Sequence, residues 1–86
     1  MPQLINWNIQ KNLISEIGVA VHGELRNHEF YDNGTNSWIS TFISFDFNTK
    51  CGITRSGDRY QLINFKPNEI VSTEAEAIKM IQSWIK

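Results

Sequence analysis

The sequence predicts an α+β fold in which an antiparallel sheet of four to five strands, a meander, is packed by one C-terminal α-helix. Three observations support this prediction. Residues 37–46 contain neither Gly nor Pro and are rich in β-branched and aromatic residues, which is typical of a strand inside a sheet. Other alternating segments, bounded by turn residues, lie on both sides of it. The C-terminal segment combines a capping box with an apolar period of 3.6 residues, which indicates a helix.

Length and composition limit the class of protein. A chain of 86 residues with 41% hydrophobic residues predicts one domain, 1–86, and excludes a disordered chain. The net charge of −1 provides no overall field toward nucleic acid or a membrane. Cys51 is the only cysteine, so an internal disulfide is excluded and a reducing compartment is favoured. With no signal-peptide pattern and no apolar segment of about 20 residues, we expect a cytoplasmic protein without a membrane partner.

Two strands are predicted before the central one. Residues 4–9 alternate, which places three large apolar residues on one face: Ile5, Trp7 and Ile9. Residues 17–26 form the next strand, with Ile17, Val19, Val21 and Leu25 on its apolar face. Gly23 interrupts this strand, and an internal Gly often marks a bulge or a close approach of two backbones. The sequence Asp32-Asn33-Gly34 then predicts a turn.

The central strand 37–46 is predicted to have two different faces. The core face carries Ile39, Thr41, Ile43 and Phe45. The second face carries Trp38, Ser40, Phe42 and Ser44. One helix can cover only one face of a sheet, so the second face predicts a protein-binding surface made of Trp38, Phe42 and Tyr60. Its occupant is a second copy, giving a homodimer, or another protein; the alternative is that a curled sheet or the N-terminal segment covers it.

The remaining elements are a hairpin and the helix. Residues 53–65 predict a hairpin that folds at Ser56-Gly57, where a turn needs positive φ. Pro67 ends the sheet because it cannot continue a ladder. The helix is predicted over residues 74–86, with Thr73 as its N-cap. Its apolar stripe consists of Ala77, Ile78, Ile81, Trp84 and Ile85.

Several of these motifs occur together in one order. They are Trp7-Asn-Ile, Val21-His-Gly23, Phe30-Tyr-Asp-Asn-Gly34-Thr, Ile39-Ser-Thr and Thr54-Arg-Ser-Gly57-Asp-Arg-Tyr60-Gln-Leu62. The order resembles a loose group of small bacterial proteins with an early Trp, an Asp-Gly-Thr turn and a Thr-x-Ser-Gly-x-x-Tyr-x-Leu hairpin. The first turn here is one residue longer than in that pattern. The resemblance implies a compact β-rich domain, and it implies no activity, cofactor or site.

Three sets of residues are candidates for metal binding or catalysis. The metal set is His22, Glu24 and His28, with Asp32 as a fourth ligand, but its spacing matches no metal motif. Cys51 could act as a nucleophile, although no orienting acid or oxyanion donor can be named. The carboxylates that could pair are Glu24, Glu29, Asp32, Asp46 and Asp58. Each set is better explained as solvated surface, so we predict neither an enzyme nor a cofactor.

The preferred function is a non-enzymatic protein-binding or adaptor module that acts through its sheet, of the kind represented by bacterial and phage inhibitors. The alternative is a small nucleic-acid-binding domain that uses the basic hairpin 50–66, because four basic residues lie within this region. These are Lys50, Arg55, Arg59 and Lys66. A small sheet with a C-terminal helix beginning Glu-Ala-Glu-Ala-Ile also superficially resembles the three-stranded DNA-binding domains of phage integrases.

Overall fold

The structure, a computed structural model, describes residues 1–40 and 42–85. Thr41, assigned by the sequence to the core face, and Lys86, the predicted helix end, lie outside the described residues. The strands are β1 (Gln3–Lys11), β2 (Val19–Arg26), β3 (Asn36–Ile39), β4 (Phe42–Asp46), β5 (Cys51–Thr54) and β6 (Arg59–Ile63), and the helix is α1 (Glu74–Trp84).

The strands form one mixed sheet of six strands in the order β3-β2-β1-β6-β5-β4. Neighbouring strands are antiparallel except β1 and β6, which are parallel and pair Leu4 with Leu62. The prediction of an α+β fold with one C-terminal helix is therefore confirmed. The prediction of four to five antiparallel strands in a meander is wrong for two reasons. The stretch predicted as one central strand contributes to both β3 and β4. The first and last strands in the chain, β1 and β6, are neighbours in the middle of the sheet and are parallel.

The sheet is strongly curled. β3 and β4 occupy its two edges, yet only residues 40 and 41 separate them in the chain. Three residues of extended chain span at most about 11 Å, whereas a flat sheet of six strands would separate its edges by about 24 Å. The two edges must therefore approach each other, and the concave side of the curled sheet encloses the core.

The end of β3 at Ile39 and the start of β4 at Phe42 also change which side chains point inward. Phe42, predicted on the second face, is 1% exposed and belongs to the core, while Ile43, predicted in the core, is 54% exposed. An irregularity in the pairing between Phe42 and Ser44 then keeps Phe45 partly buried against the core. The alternation predicted for 37–46 is thus wrong at Phe42 and Ile43, whereas Ser44 is exposed and Phe45 packs against the core as predicted.

The first strand has a similar irregularity. Its pairing with β2 shifts between Ile5 and Asn8, and Asn6 has a φ of 54°. The kink places Leu4 and Trp7 in the core and leaves Ile5 only half-buried, so the predicted face of Ile5, Trp7 and Ile9 is corrected at Ile5. Asn tolerates a positive φ better than most residues do, because its short side chain bonds locally.

The predicted close approach at Gly23 is confirmed. A Cβ atom there would lie 2.6 Å from Leu4 Cγ and 3.1 Å from the backbone oxygen of Ile5. Because Gly23 has no side chain, β2 can lie close to Leu4 and Ile5 at the kink of β1.

The helix closes the core. Thr73 is its N-cap and accepts the backbone N–H of Glu76 at 3.2 Å, as predicted. Ala77 and Ile81 are fully buried, and Ile78, Trp84 and Ile85 pack partly buried against the core. α1 contacts β4, the edge strand that begins with Phe42.

Candidate binding groove beside the free edge of β3

The turn between β5 and β6 is held by its own side chains. Gly57 has a φ of 90° and donates its N–H to Thr54 O, which confirms the predicted turn. Thr54 Oγ1 lies 3.0 Å from Ser56 Oγ and accepts the N–H of Asp58 at 3.2 Å. Ser56 Oγ in turn donates to Asp58 Oδ2 at 3.0 Å. These bonds fix the carboxylate of Asp58 at the tip of the hairpin.

The loop between β2 and β3 carries two exposed aromatic rings. Phe30 is 82% exposed and Tyr31 57%. The loop is closed by backbone and side-chain bonds: Gly34 N–H donates to Leu25 O at 2.8 Å, and Asn27 N–H donates to Asn33 Oδ1 at 3.1 Å. The exposed rings are therefore presented by a loop that hydrogen bonds tie to β2.

Among the described residues, β3 pairs with β2 alone, so its other edge is free. Leu25 N–H donates to Thr35 O at 2.8 Å, and the register pairs Gly23 with Ser37 and His22 with Trp38. In an antiparallel ladder alternate residues bond to the same neighbour, so Ser37 bonds toward β2. The backbone N–H and C=O of Trp38 consequently point away from β2, toward open space.

A groove of about 340 Å³ lies against this edge. We call it the edge groove. Residues 37–40 form one of its walls, and the other comes from the hairpin tip and Tyr60: Thr54, Arg55, Ser56, Asp58 and Tyr60. Its volume is within the range of ligand-binding clefts.

A second cavity of about 580 Å³ adjoins the edge groove and shares Ser37, Trp38, Asp58 and Tyr60 with it. We call it the aromatic pocket. Five rings line it, those of His28, Phe30, Tyr31, Trp38 and Tyr60. The ring centroid of His28 lies 4.9 Å from that of Tyr31, 6.0 Å from that of Phe30 and 6.3 Å from that of Tyr60. His28 thus stands among three of the other rings.

Asp58 brings a carboxylate to the lining of the aromatic pocket. Burial raises the pKa of the Tyr60 phenol above its ordinary value of 10.0, and the nearby Asp58 carboxylate and the Tyr31 phenol raise it further. The Asp58 charge opposes formation of a second negative charge on Tyr60. His28 Nδ1 accepts the backbone N–H of Phe30 at 3.1 Å.

The three residues predicted for protein binding differ in how exposed they are. Trp38 is 50% exposed at the groove, with its ring 4.7 Å from that of His22. Tyr60 is 8% exposed and reaches both cavities from inside. Phe42 lies in the core, so the surface position predicted for it is wrong.

Sequence reasoning missed four residues of this site: His28, Phe30, Tyr31 and Asp58 as a groove residue. Two adjacent aromatic residues just before an Asp-Asn-Gly turn were a usable signal. Aromatic rings in a turn region have no core face to fill, so they indicate exposed surface.

The four basic residues of the alternative do not form one cluster. Arg55 and Arg59 are exposed at the hairpin tip, whereas Lys50 and Lys66 lie beyond the other ends of β5 and β6. Lys50 forms an ion pair with Glu74. Nucleic-acid binding through these residues stays a prediction, with its charge spread over both ends of the hairpin.

The candidate metal ligands and the candidate carboxylates named from the sequence do not form a site either. Within residues 1–40 and 42–85, no three or more His, Cys, Asp or Glu side chains are close enough to hold a metal ion. Glu24 instead accepts Asn6 Nδ2 at 3.0 Å, and Asp46 accepts the Asn48 N–H at 2.8 Å. Cys51 is a half-buried free thiol at the start of β5.

Across the part of the chain that the structure describes, no helix is long and apolar enough to cross a membrane. Comparison with family models, curated proteins and solved structures gives no match to this chain. The resemblance to small bacterial proteins stays a prediction.

Proposed function

We propose that this chain is a non-enzymatic protein-binding module that takes up an extended segment of a partner protein along the free edge of β3. The observation that carries the proposal is the coincidence of an unpaired strand edge with an aromatic pocket. Backbone bonds to such an edge supply affinity, and pockets for alternate side chains supply specificity.

The edge groove provides the first half of this binding mode. The N–H and C=O of Trp38 point into open space, and an added strand would bond to both of them. An edge of this kind is a template for pairing with another chain. β3 is four residues long, so the partner segment needs a similarly short extended stretch.

The aromatic pocket provides the second half. Aromatic side chains contribute large contact areas and are enriched at the energetic centres of protein interfaces. Phe30, Tyr31 and Trp38 are all at least half exposed in the chain alone, so a partner side chain could bury them further. An adaptor or an inhibitor of a larger protein could use the same surface, and both remain within this proposal.

The test is selection from a displayed library of random linear peptides, followed by titration of a synthetic winner. We expect binding that Trp38→Ser abolishes. Phe47→Ser is the matched control, because Phe47 is 49% exposed and lies in the β4–β5 turn, outside both cavities. Peptides that bind both variants equally well would show that the groove is not the binding surface.

Amide hydrogen exchange gives a sharper second measurement. In the free chain the Trp38 amide should exchange fast while the neighbouring Ser37 and Ile39 amides are protected. Bound peptide should slow exchange at Trp38, because strand addition gives its N–H a partner. Peptide binding with no change at Trp38 would contradict strand addition.

The predicted homodimer is an outcome of the same series. Sedimentation at micromolar concentration should give the mass of one chain for the native protein and for Trp38→Ser. A dimer that Trp38→Ser dissociates would mean that a second copy, and not a foreign segment, occupies the edge of β3.

A further inference from the structure

We infer that the aromatic pocket binds a cationic side chain of the partner segment, with arginine as the preferred residue. This inference rests on the proposed function, because it assumes that an extended segment lies in the adjoining edge groove. It adds the chemistry of the residue that the pocket selects.

The lining of the pocket is suited to a cation. Five aromatic rings line it and Asp58 supplies a carboxylate, while the remaining lining residues are uncharged: Leu25, Thr35, Asn36 and Ser37. The faces of aromatic rings carry negative potential and attract ammonium and guanidinium groups that lie over them. A lining of rings and one carboxylate therefore favours a positive guest over a neutral or an anionic one.

The charges near the pocket agree with this. Among the described residues that line it there is no Lys or Arg, and His28 Nδ1 accepts the backbone N–H of Phe30. Arg55 lines the edge groove next door and not this pocket.

Hydrogen bonds within the turn fix the position of the Asp58 carboxylate. Its Oδ2 accepts Ser56 Oγ at 3.0 Å, and its backbone N–H donates to Thr54 Oγ1. The carboxylate is thereby positioned before a ligand arrives, which lowers the ordering cost of binding. Arginine fits better than lysine, because its planar guanidinium both stacks on rings and pairs with a carboxylate through two N–H groups.

The test compares two acetylated, amidated pentapeptides, Thr-Val-Arg-Val-Thr and the same peptide with citrulline in place of arginine. Citrulline keeps the shape and removes the charge. Binding is followed by amide and indole N–H chemical shifts. We expect the arginine peptide to bind about five- to tenfold more tightly at low salt, and the difference to shrink as salt is added.

Asp58→Asn should reduce that difference to about twofold or less, because only the ring contacts remain selective for charge. The variant keeps an acceptor for Ser56 Oγ, so the turn should persist. Asp46→Asn is the matched control, because Asp46 is also a turn carboxylate that accepts a backbone N–H, outside both cavities. It should leave the arginine preference unchanged.

The outcomes separate the two proposals. Equal binding of both peptides to the native chain, with the Trp38 amide protected, would overturn the cation inference and leave the binding module standing. An arginine preference that Asp58→Asn does not reduce would also overturn it. If neither peptide binds and the Trp38 amide stays unprotected, both proposals fail.

Discussion

At the scale of single residues, Phe42 and Ile43 show how one backbone irregularity decides burial. Phe42 is in the core and its neighbour Ile43 is at the surface, the reverse of what alternation along 37–46 predicts. Gly52 makes room for the inward ring. A Cβ atom at Gly52 would lie 2.4 Å from Phe42 Cδ1, so any larger residue would collide with that ring.

This pair of neighbours gives a direct prediction about stability. Phe42→Ala should lower the free energy of unfolding by about 3–5 kcal/mol, because it leaves a cavity in the core. Ile43→Ala should lower it by less than about 1 kcal/mol, as for other surface substitutions. Urea denaturation of both variants measures the difference. If Ile43→Ala were the more damaging change, the pairing of β4 with β5 would be out of register.

At the scale of elements, the helix follows from local sequence and the parallel strands do not. Thr73 and the apolar stripe determine where α1 begins and which face it buries, because both act within a few residues. The pairing of β1 with β6 joins residues that are far apart in the chain, such as Leu4 and Leu62. Both strands leave this ladder at an Asn with positive φ, Asn6 and Asn64, and Asn64 Nδ2 donates to Asn6 Oδ1.

Because the helix packs on the core with one face, substitutions on its two faces should change the free energy of unfolding by different amounts. Ile81→Ala should cost about 2–5 kcal/mol of unfolding free energy, since Ile81 is fully buried. Lys79→Ala, on the exposed face, should change it by no more than about 0.5 kcal/mol. Thermal and chemical denaturation can be compared for both. A cost below about 1 kcal/mol for Ile81→Ala would mean that the helix is not packed on the core.

At the scale of the whole molecule, curling of the sheet creates the groove. β3 and β4 are consecutive in the chain but lie at opposite edges, so the sheet must bend back toward itself. The free edge of β3 then faces the tip of the β5–β6 hairpin across the edge groove. A flat sheet would leave these two elements on opposite sides of the molecule.

The same architecture predicts the order of amide exchange in the free chain. β1 and β6 lie in the middle of the sheet, so their bonded amides should exchange only through global unfolding. The edge strand β3 should exchange faster, because it bonds to one neighbour only. Exchange followed by two-dimensional spectra tests this. Protection of β3 equal to that of β1 would mean that another strand, for instance from a second copy, covers the edge.

The sequence by itself determined the features that depend on near neighbours. The turns at Gly34 and Gly57, the N-cap at Thr73 and the stripe of α1 all follow from residues a few positions apart. Only the tertiary structure decided the parallel pairing of β1 with β6, the inward turn of Phe42 and the meeting of Trp38, Tyr31 and Asp58 around one pocket. These depend on contacts between distant segments, and alternation within one strand carries no information about which strand lies beside it.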